Sequence, residues 1–94
     1  MRVVGRDVLE AFTRQHADIR DQIASWLSIA VAAHWRTSMD VKARFPQASF
    51  LADNTVIFNL KGDKYRLETK ILYERDLVRV VRVGTHSEYD TWRF

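Results

Sequence analysis

Four side chains that can exchange protons or form hydrogen bonds lie in one short segment near the end of the sequence. His86, Glu88, Tyr89 and Asp90 all follow Gly84, which we expect to let the chain leave the last strand of a sheet. Histidine changes protonation nearest neutral pH, so His86 suits general acid or base catalysis. The carboxylates could orient an imidazolium or act as bases, and the phenol could donate a proton or stack on a nucleobase. The structural alternative for the whole segment is a polar surface turn.

A metal site built from His86, Glu88 and Asp90 is a weaker interpretation. Ligands this close in sequence rarely complete a site without more distant partners. His16 and His34 fall in the helical half of the chain, where surface or capping roles are the ordinary ones, and we assign them no function. We therefore predict no metal and no other cofactor.

A second chemical feature is positive charge in the second half of the chain. Arg66, Lys70 and Arg79 are expected to project from the same side of adjacent strands, while Lys61 and Lys64 flank a turn at one end. Such a cluster can neutralise phosphates, and each contact would make binding sensitive to salt through counterion release. The structural alternative is a solvated sheet face whose charges serve solubility and cross-strand pairing.

Composition limits the classes of protein to consider. The 94 residues include 15 basic and 12 acidic ones, with a formal net charge of +3 and no cysteine. This weakly basic balance favours an anionic partner, and the lack of cysteine fits a reducing compartment. No stretch approaches the roughly 20 apolar residues of a membrane span, and no glycine-rich phosphate loop is present. We therefore expect a single cytoplasmic domain over residues 1–94 with no membrane partner.

The first half of the sequence has helical spacing. Residues 2–4 could form a short strand, and an amphipathic helix is predicted from residue 6 or 7 to about residue 16. Asp18 suits the N-cap of a second helix that carries apolar residues as far as Val31. The T-x-x-D spacing that starts at Thr37 predicts a capping box and a short third helix over Ser38–Arg44.

The second half has the alternation of strands. We predict strands over Thr55–Leu60, Lys64–Tyr73 and Leu77–Val83, joined by turns at residues 61–64 and 74–76. Helices followed by strands predict an α+β domain with N-terminal helices packed on one face of a small, antiparallel-rich β-sheet.

The turns fix the register and therefore the two faces. In the first hairpin the predicted opposite pairs are Leu60 with Tyr65, Phe58 with Leu67 and Val56 with Thr69; in the second they are Tyr73 with Val78 and Ile71 with Val80. The predicted core face consists of Val56, Phe58, Leu60, Tyr65, Leu67, Ile71, Tyr73, Val78 and Val80. The other face, called the polar face below, carries Asn59, Arg66, Glu68, Lys70 and Arg79 among Ile57, Leu72, Val81 and Val83. The sequence offers no second helical layer for it, although the third helix could cover part of its edge.

Two stretches of this sequence resemble the HigB family of toxins from type II toxin–antitoxin systems. The run Phe50–Leu67 contains N-x-K-G-x-x-Y-R-L, and the end of the chain contains T-H-x-E-Y-D, from Thr85 to Asp90. Trp35–Pro46 is similar to the family's central segment, and Arg2–Val4 fits its start, so the resemblance covers nearly the whole chain.

The resemblance implies a RelE-like fold and a small endoribonuclease that cleaves mRNA, often on the translating ribosome. It also implies silencing by a HigA-like antitoxin with a DNA-binding helix-turn-helix, so that the complex binds operator DNA and represses its own operon.

Cleaving RNA without a metal requires a base for the 2′-hydroxyl, positive charge on the phosphorane and an acid for the leaving 5′ oxygen. We predict that His86 is the principal acid/base and that Arg66 stabilises the phosphorane. Tyr89 would stack on or orient a nucleotide, while Glu88 and Asp90 either orient His86 or cap the C-terminal turn. The predicted RNA-binding residues are Lys61 and Lys64, for flanking phosphates, with Asn59, Lys70 and Arg79 on the polar face.

Two other functions use the same residues. A non-catalytic RNA- or protein-binding module would bind through the basic face without cleaving, and a degenerate toxin would retain only the binding of an antitoxin. An adjacent short reading frame with helix-turn-helix character would favour either toxin interpretation over the binding module.

Overall fold

Helices and a mixed sheet make up the computed structural model, which describes residues 1–94. In chain order the elements are β1 (Arg2–Val4), α1 (Arg6–Gln15), a 3₁₀ turn (Ala17–Ile19), α2 (Arg20–Ala32), α3 (Ser38–Arg44), β2 (Ser49–Phe50), β3 (Thr55–Leu60), β4 (Tyr65–Leu72), a second 3₁₀ turn (Tyr73–Arg75), β5 (Leu77–Thr85) and α4 (His86–Tyr89). The five strands lie in the order β1-β5-β4-β3-β2. Only β1 and β5 are parallel, and every other neighbouring pair is antiparallel. The predicted α+β class, with helices on one face of a largely antiparallel sheet, is confirmed.

The core lies between the sheet and the N-terminal helices. It is a cluster of 18 buried residues that includes Leu9 from α1, Trp26 from α2 and Phe58 from β3. The rings of Trp26 and Phe58 meet edge to face with centroids 5.4 Å apart, a geometry that aromatic pairs prefer. Val41 of α3 belongs to the same cluster, so α3 completes the core. The expectation that α3 covers an edge of the polar face finds no support in this packing.

The helix boundaries follow local signals at two of the three predicted starts. Thr37 and Asp40 form the predicted capping box at the start of α3, where the side chain of each accepts from the backbone of the other. The predicted N-cap at Asp18 is wrong, because a 3₁₀ turn over Ala17–Ile19 precedes α2 and puts Ile19 at the cap position. No helix of the structure is both long enough and apolar enough to span a bilayer.

The first hairpin has the predicted register, and the second does not. Leu60 lies opposite Tyr65 and Phe58 opposite Leu67, as predicted. In the second hairpin Ile71 lies opposite Val78, two positions from the predicted partner Val80. The reason is the turn, since residues 73–75 form the second 3₁₀ turn and Asp76 takes a left-handed φ of 54°. Tyr73 therefore leaves the strand that was predicted to contain it.

A β-bulge in β5 changes which side chains reach the polar face. Thr69 pairs with Val80, but its neighbour Glu68 pairs with Arg82, so β5 has one extra residue at this point. An extra residue reverses the alternation beyond it. As a result Arg82 lies on the polar face, and Val83 packs against the core, contrary to its predicted place on the polar face.

Gly5, directly before α1, lies close to the backbone of β5. Its φ is +86°, and a methyl group there would lie 2.6 Å from the carbonyl oxygen of Val80. Gly62 offers a matched control, because its φ is +64° and a methyl group would meet nothing within 4 Å.

We expect Gly5→Ala to destabilise the protein clearly more than Gly62→Ala. Both variants carry the left-handed strain of about 1–2 kcal/mol, but only Gly5→Ala adds a clash with backbone, which cannot move aside as a flexible side chain can. Urea unfolding of both variants measures the difference. Equal losses of unfolding free energy would contradict the close approach of α1 to β5.

Candidate active site

Arg66 and His86 meet where β4, β5 and α4 join. Arg66 on β4 lies opposite Gly84 on β5, and His86 begins α4 two residues later. The backbone N–H of His86 donates to the carbonyl of Lys64 at 2.9 Å, which fixes the start of α4 against the turn between β3 and β4. The distance from Nη2 of Arg66 to Nδ1 of His86 is 3.1 Å. The structure thus brings together two of the predicted catalytic side chains.

This contact determines the tautomer of His86. A guanidinium can only donate hydrogen bonds, so Nδ1 must accept and the ring proton of the neutral imidazole must sit on Nε2. Nε2 faces Asp90, whose Oδ1 lies 3.7 Å away. That distance is too long for a hydrogen bond, but a carboxylate so close would attract an imidazolium.

The guanidinium of Arg66 is held by several acceptors. Nη1 donates to the backbone carbonyl of Asp63 at 2.8 Å, and Nη2 donates to the Asp63 carboxylate at 3.2 Å. The ring of Tyr89 lies over the guanidinium, with 5.3 Å from Cζ to the ring centroid. Only 8% of the surface of Arg66 is exposed, whereas the Asp63 side chain is largely in solvent. Asp63 is therefore the partner that an incoming anion could replace.

Glu88 caps the helix that carries His86. Its carboxylate accepts from the backbone N–H of Thr85 at 2.8 Å, and its own N–H donates to the Thr85 hydroxyl at 3.2 Å. This reciprocal pair is a capping box. Of the two predicted alternatives for Glu88, the geometry supports capping over orientation of His86. No group of three His, Asp or Glu side chains in the structure could hold a metal ion.

The prediction that the chain leaves the last strand at Gly84 is wrong, because β5 continues to Thr85. A methyl group at Gly84 would lie 2.9 Å from the ring of Trp92 and 3.2 Å from Cβ of Glu88. Glycine is thus needed to let the C-terminal segment fold back across the polar face. This segment partly covers a face for which the sequence had offered no second layer.

Lys61 and Lys64, which were predicted to bind phosphates, both form ion pairs with Asp18. Each ammonium lies 3.0 Å from the same oxygen, Oδ2 of Asp18. The hydroxyl of Tyr65 donates to the other oxygen at 2.9 Å. These lysines therefore reach toward the helical layer. Hydrogen bonds from Lys64, Lys61 and Tyr65 hold the pKa of Asp18 well below its ordinary value, and Asp18 in turn raises the pKa of Lys64.

The other predicted RNA-binding residues are spread along the polar face. Asn59 lies directly opposite Arg66 in the register, close to the candidate site. Lys70 lies four positions after Arg66 on β4, a separation of about 13 Å at the rise of a strand, and it pairs with Arg79 on β5. The ammonium of Lys70 donates to the backbone carbonyl of Asp53. The structure does not bring Lys70 and Arg79 together with Arg66 and His86.

Sequence reasoning missed two residues near this site. Asp63 lies in the same turn as Lys61 and Lys64. Its spacing of three residues from Arg66 is the sequence feature that could have indicated an ion pair between them. Arg82 pairs with Glu68 and lies over the ring of Trp92, with 4.2 Å from Cζ to the centroid. No local signal marks the bulge that moves Arg82 to this face.

A protein-family model matches most of the chain. It is described as HigB_toxin, RelE-like toxic component of a toxin-antitoxin system, and it matches residues 19–92. The matched range includes β3, β4, β5 and α4, and so every side chain of the Arg66–His86 arrangement. No curated protein shows significant sequence similarity to the chain.

We expect Asp18→Asn to destabilise the protein at pH 7 and to destabilise it less, though still measurably, at pH 3. A carboxyl group whose pKa is lowered in the folded state contributes stability above its ordinary value, 3.8, and loses that contribution as the pH falls toward the folded-state value. Urea unfolding at pH 7 and at pH 3 compares the wild type with the variant. Asp53→Asn is the control, because the Asp53 carboxylate forms no ion pair. A gap between wild type and Asp18→Asn that stays constant over this range would contradict the role of the ion pairs.

Proposed function

The chain belongs to the HigB family of RelE-like toxins of toxin–antitoxin systems, and from this premise we propose that it is a metal-independent endoribonuclease that cleaves mRNA. The observation that carries the proposal is the 3.1 Å contact between Arg66 Nη2 and His86 Nδ1. One group supplies fixed positive charge and the other can accept and return a proton. RNA cleavage by attack of the 2′-hydroxyl needs both at a single phosphate.

The proposed reaction begins with an exchange of partners at Arg66. A substrate phosphate takes the place of the Asp63 carboxylate and draws the Nη2 donor away from His86. Nδ1 of His86 then has a free lone pair, which accepts the proton of the 2′-hydroxyl. Nη1 keeps its bond to the backbone carbonyl of Asp63, so the guanidinium stays oriented while its partners change.

Bond making and breaking follow at the phosphorus atom. The 2′ oxygen attacks, the charge on the phosphorane is stabilised by Arg66, and the bond to the 5′ oxygen breaks. The imidazolium of His86 returns its proton to that oxygen, which leaves a 2′,3′-cyclic phosphate and a free 5′-hydroxyl. Asp90, 3.7 Å from Nε2, stabilises the imidazolium in between.

The remaining site residues bind and position the RNA. We propose that Tyr89 stacks on a nucleotide beside the scissile phosphate, since its ring already lies over Arg66. Glu88 keeps α4 in place through its capping box. Lys61 and Lys64 would bind flanking phosphates by exchanging Asp18 for them. Asn59 would contact the nucleotide next to Arg66, and Lys70 and Arg79 would bind phosphates further along the strand.

The family implies an antitoxin partner. We further propose that this partner is HigA-like, with a helix-turn-helix that brings the complex to operator DNA. We place the cleavage in the cytoplasm, on mRNA held by the translating ribosome. A ribosome that positions the mRNA would compensate for a site with only one evident acid/base group.

We expect His86→Ala and Arg66→Ala to abolish growth arrest and to lower transcript cleavage. Loss of the acid/base group removes a rate factor of about 10²–10⁴. Arg75→Ala is the matched control, because this arginine lies in the turn at the opposite end of β4. Growth after induction and primer extension of a reporter transcript provide the measurements. A folded Arg66→Ala protein that arrests growth as strongly as wild type would remove Arg66 from its proposed role. RNA binding without any cleavage products would favour the binding module.

We expect cleavage to depend on translation. Primer extension after induction, with and without a translation inhibitor, should show cuts that disappear when the reporter is not being translated. Equal cleavage of translated and untranslated transcripts would show that the ribosome is not needed.

A further inference from the structure

The C-terminal segment places three aromatic rings beside the candidate active site. Tyr89 of α4 contacts Trp92 edge to face with centroids 5.5 Å apart, and it contacts Phe94 at 6.3 Å. The same Tyr89 ring lies over Arg66. The rings therefore form a continuous path from the Arg66 guanidinium across the polar face.

Arg82 lies on this path between two of the rings. Its Cζ is 4.2 Å from the centroid of Trp92 and 5.6 Å from that of Phe94. Glu68, which is only 6% exposed, already balances the charge of Arg82. Arg82 is thus poorly placed to bind phosphate, but its planar guanidinium is held in a fixed orientation among aromatic rings.

Phe94 is the exposed end of this arrangement, since 64% of its surface is accessible. Aromatic rings next to cationic groups bind single-stranded RNA by stacking on bases, because every base has a flat apolar face. Such stacking tolerates any sequence and complements nearby phosphate contacts.

We propose that Arg82, Trp92 and Phe94 form a stacking site for a nucleobase of single-stranded RNA, next to the nucleotide whose phosphate Arg66 binds. This inference rests on the proposed function, because it requires RNA at Arg66. Two observations favour a nucleobase over an apolar peptide as the occupant: the patch is continuous with Arg66 through Tyr89, and it contains a planar guanidinium held against aromatic rings. A contact with the antitoxin at the same patch is one outcome of the test below.

The structure provides an intrinsic probe for this site. Trp26 and Trp35 are buried in the core, whereas Trp92 is partly exposed, so a change of tryptophan fluorescence on RNA binding would report on Trp92. The ligand is a mixed-sequence single-stranded RNA carrying 2′-O-methyl groups, which blocks cleavage and leaves the bases free. A matched oligomer with the same number of phosphates but abasic riboses separates stacking from charge.

We expect Phe94→Leu to weaken binding of the full oligonucleotide about tenfold, with an unchanged slope of log affinity against log salt. Phe94→Trp should restore the affinity, and neither variant should alter binding of the abasic oligomer. Met39→Ala, which changes another exposed apolar side chain on α3, should have no effect.

Several results would overturn the inference. One is wild-type affinity of Phe94→Leu for the full oligonucleotide, and another is an equal loss on the abasic oligomer. A defect of Phe94→Leu in antitoxin binding alone would assign the patch to the protein partner. If His86→Ala still abolishes cleavage in these cases, the proposed function survives and only the stacking site fails. Failure of the wild type both to bind and to cleave RNA would overturn both.

Discussion

The position of Arg66 opposite Gly84 is the constraint on which the candidate site depends. Because Gly84 has no side chain, the C-terminal segment can cross β5 and set Trp92 and Glu88 against it. That crossing carries Tyr89 over the guanidinium and keeps most of Arg66 out of water. A guanidinium removed from water interacts more strongly with a nearby charge than an exposed one does. The cost of its burial is offset by hydrogen bonds to Asp63 and His86.

The bulge in β5 places Arg82 on the polar face. Without the extra residue, strict alternation would turn Arg82 toward the helices and the apolar core. With it, Arg82 reaches Glu68 and the ring of Trp92 on the same side as Arg66. Bulges commonly re-aim a side chain next to a functional site. Here the extra residue in β5 brings Arg82 into contact with Trp92 and so connects the sheet to the aromatic C-terminal segment.

The first hairpin, the three N-terminal helices and most of the core face could be predicted because they rest on local patterns. Turn residues set the register of Leu60 with Tyr65, and T-x-x-D spacing located α3. The predicted register of the second hairpin was wrong because a 3₁₀ turn and a residue with positive φ lengthen the connection between β4 and β5. The partners of Asp18 could not be predicted either, since its lysines lie more than 40 positions away in sequence, as the separations of 43 and 46 residues show. Contacts of that kind depend on tertiary packing, which short-range patterns do not encode.

Four cationic side chains around the candidate site are paired with carboxylates. Asp18 serves the turn lysines, Asp63 serves Arg66, and Glu68 serves Arg82. Binding of a phosphate at Arg66, Lys61 or Lys64 is therefore an exchange of one anion for another. An exchange releases fewer counterions than the binding of a phosphate to free cations, so the salt dependence should reflect fewer contacts than the basic residues suggest. Selection among RNA targets then depends on geometry and stacking at the site more than on net charge.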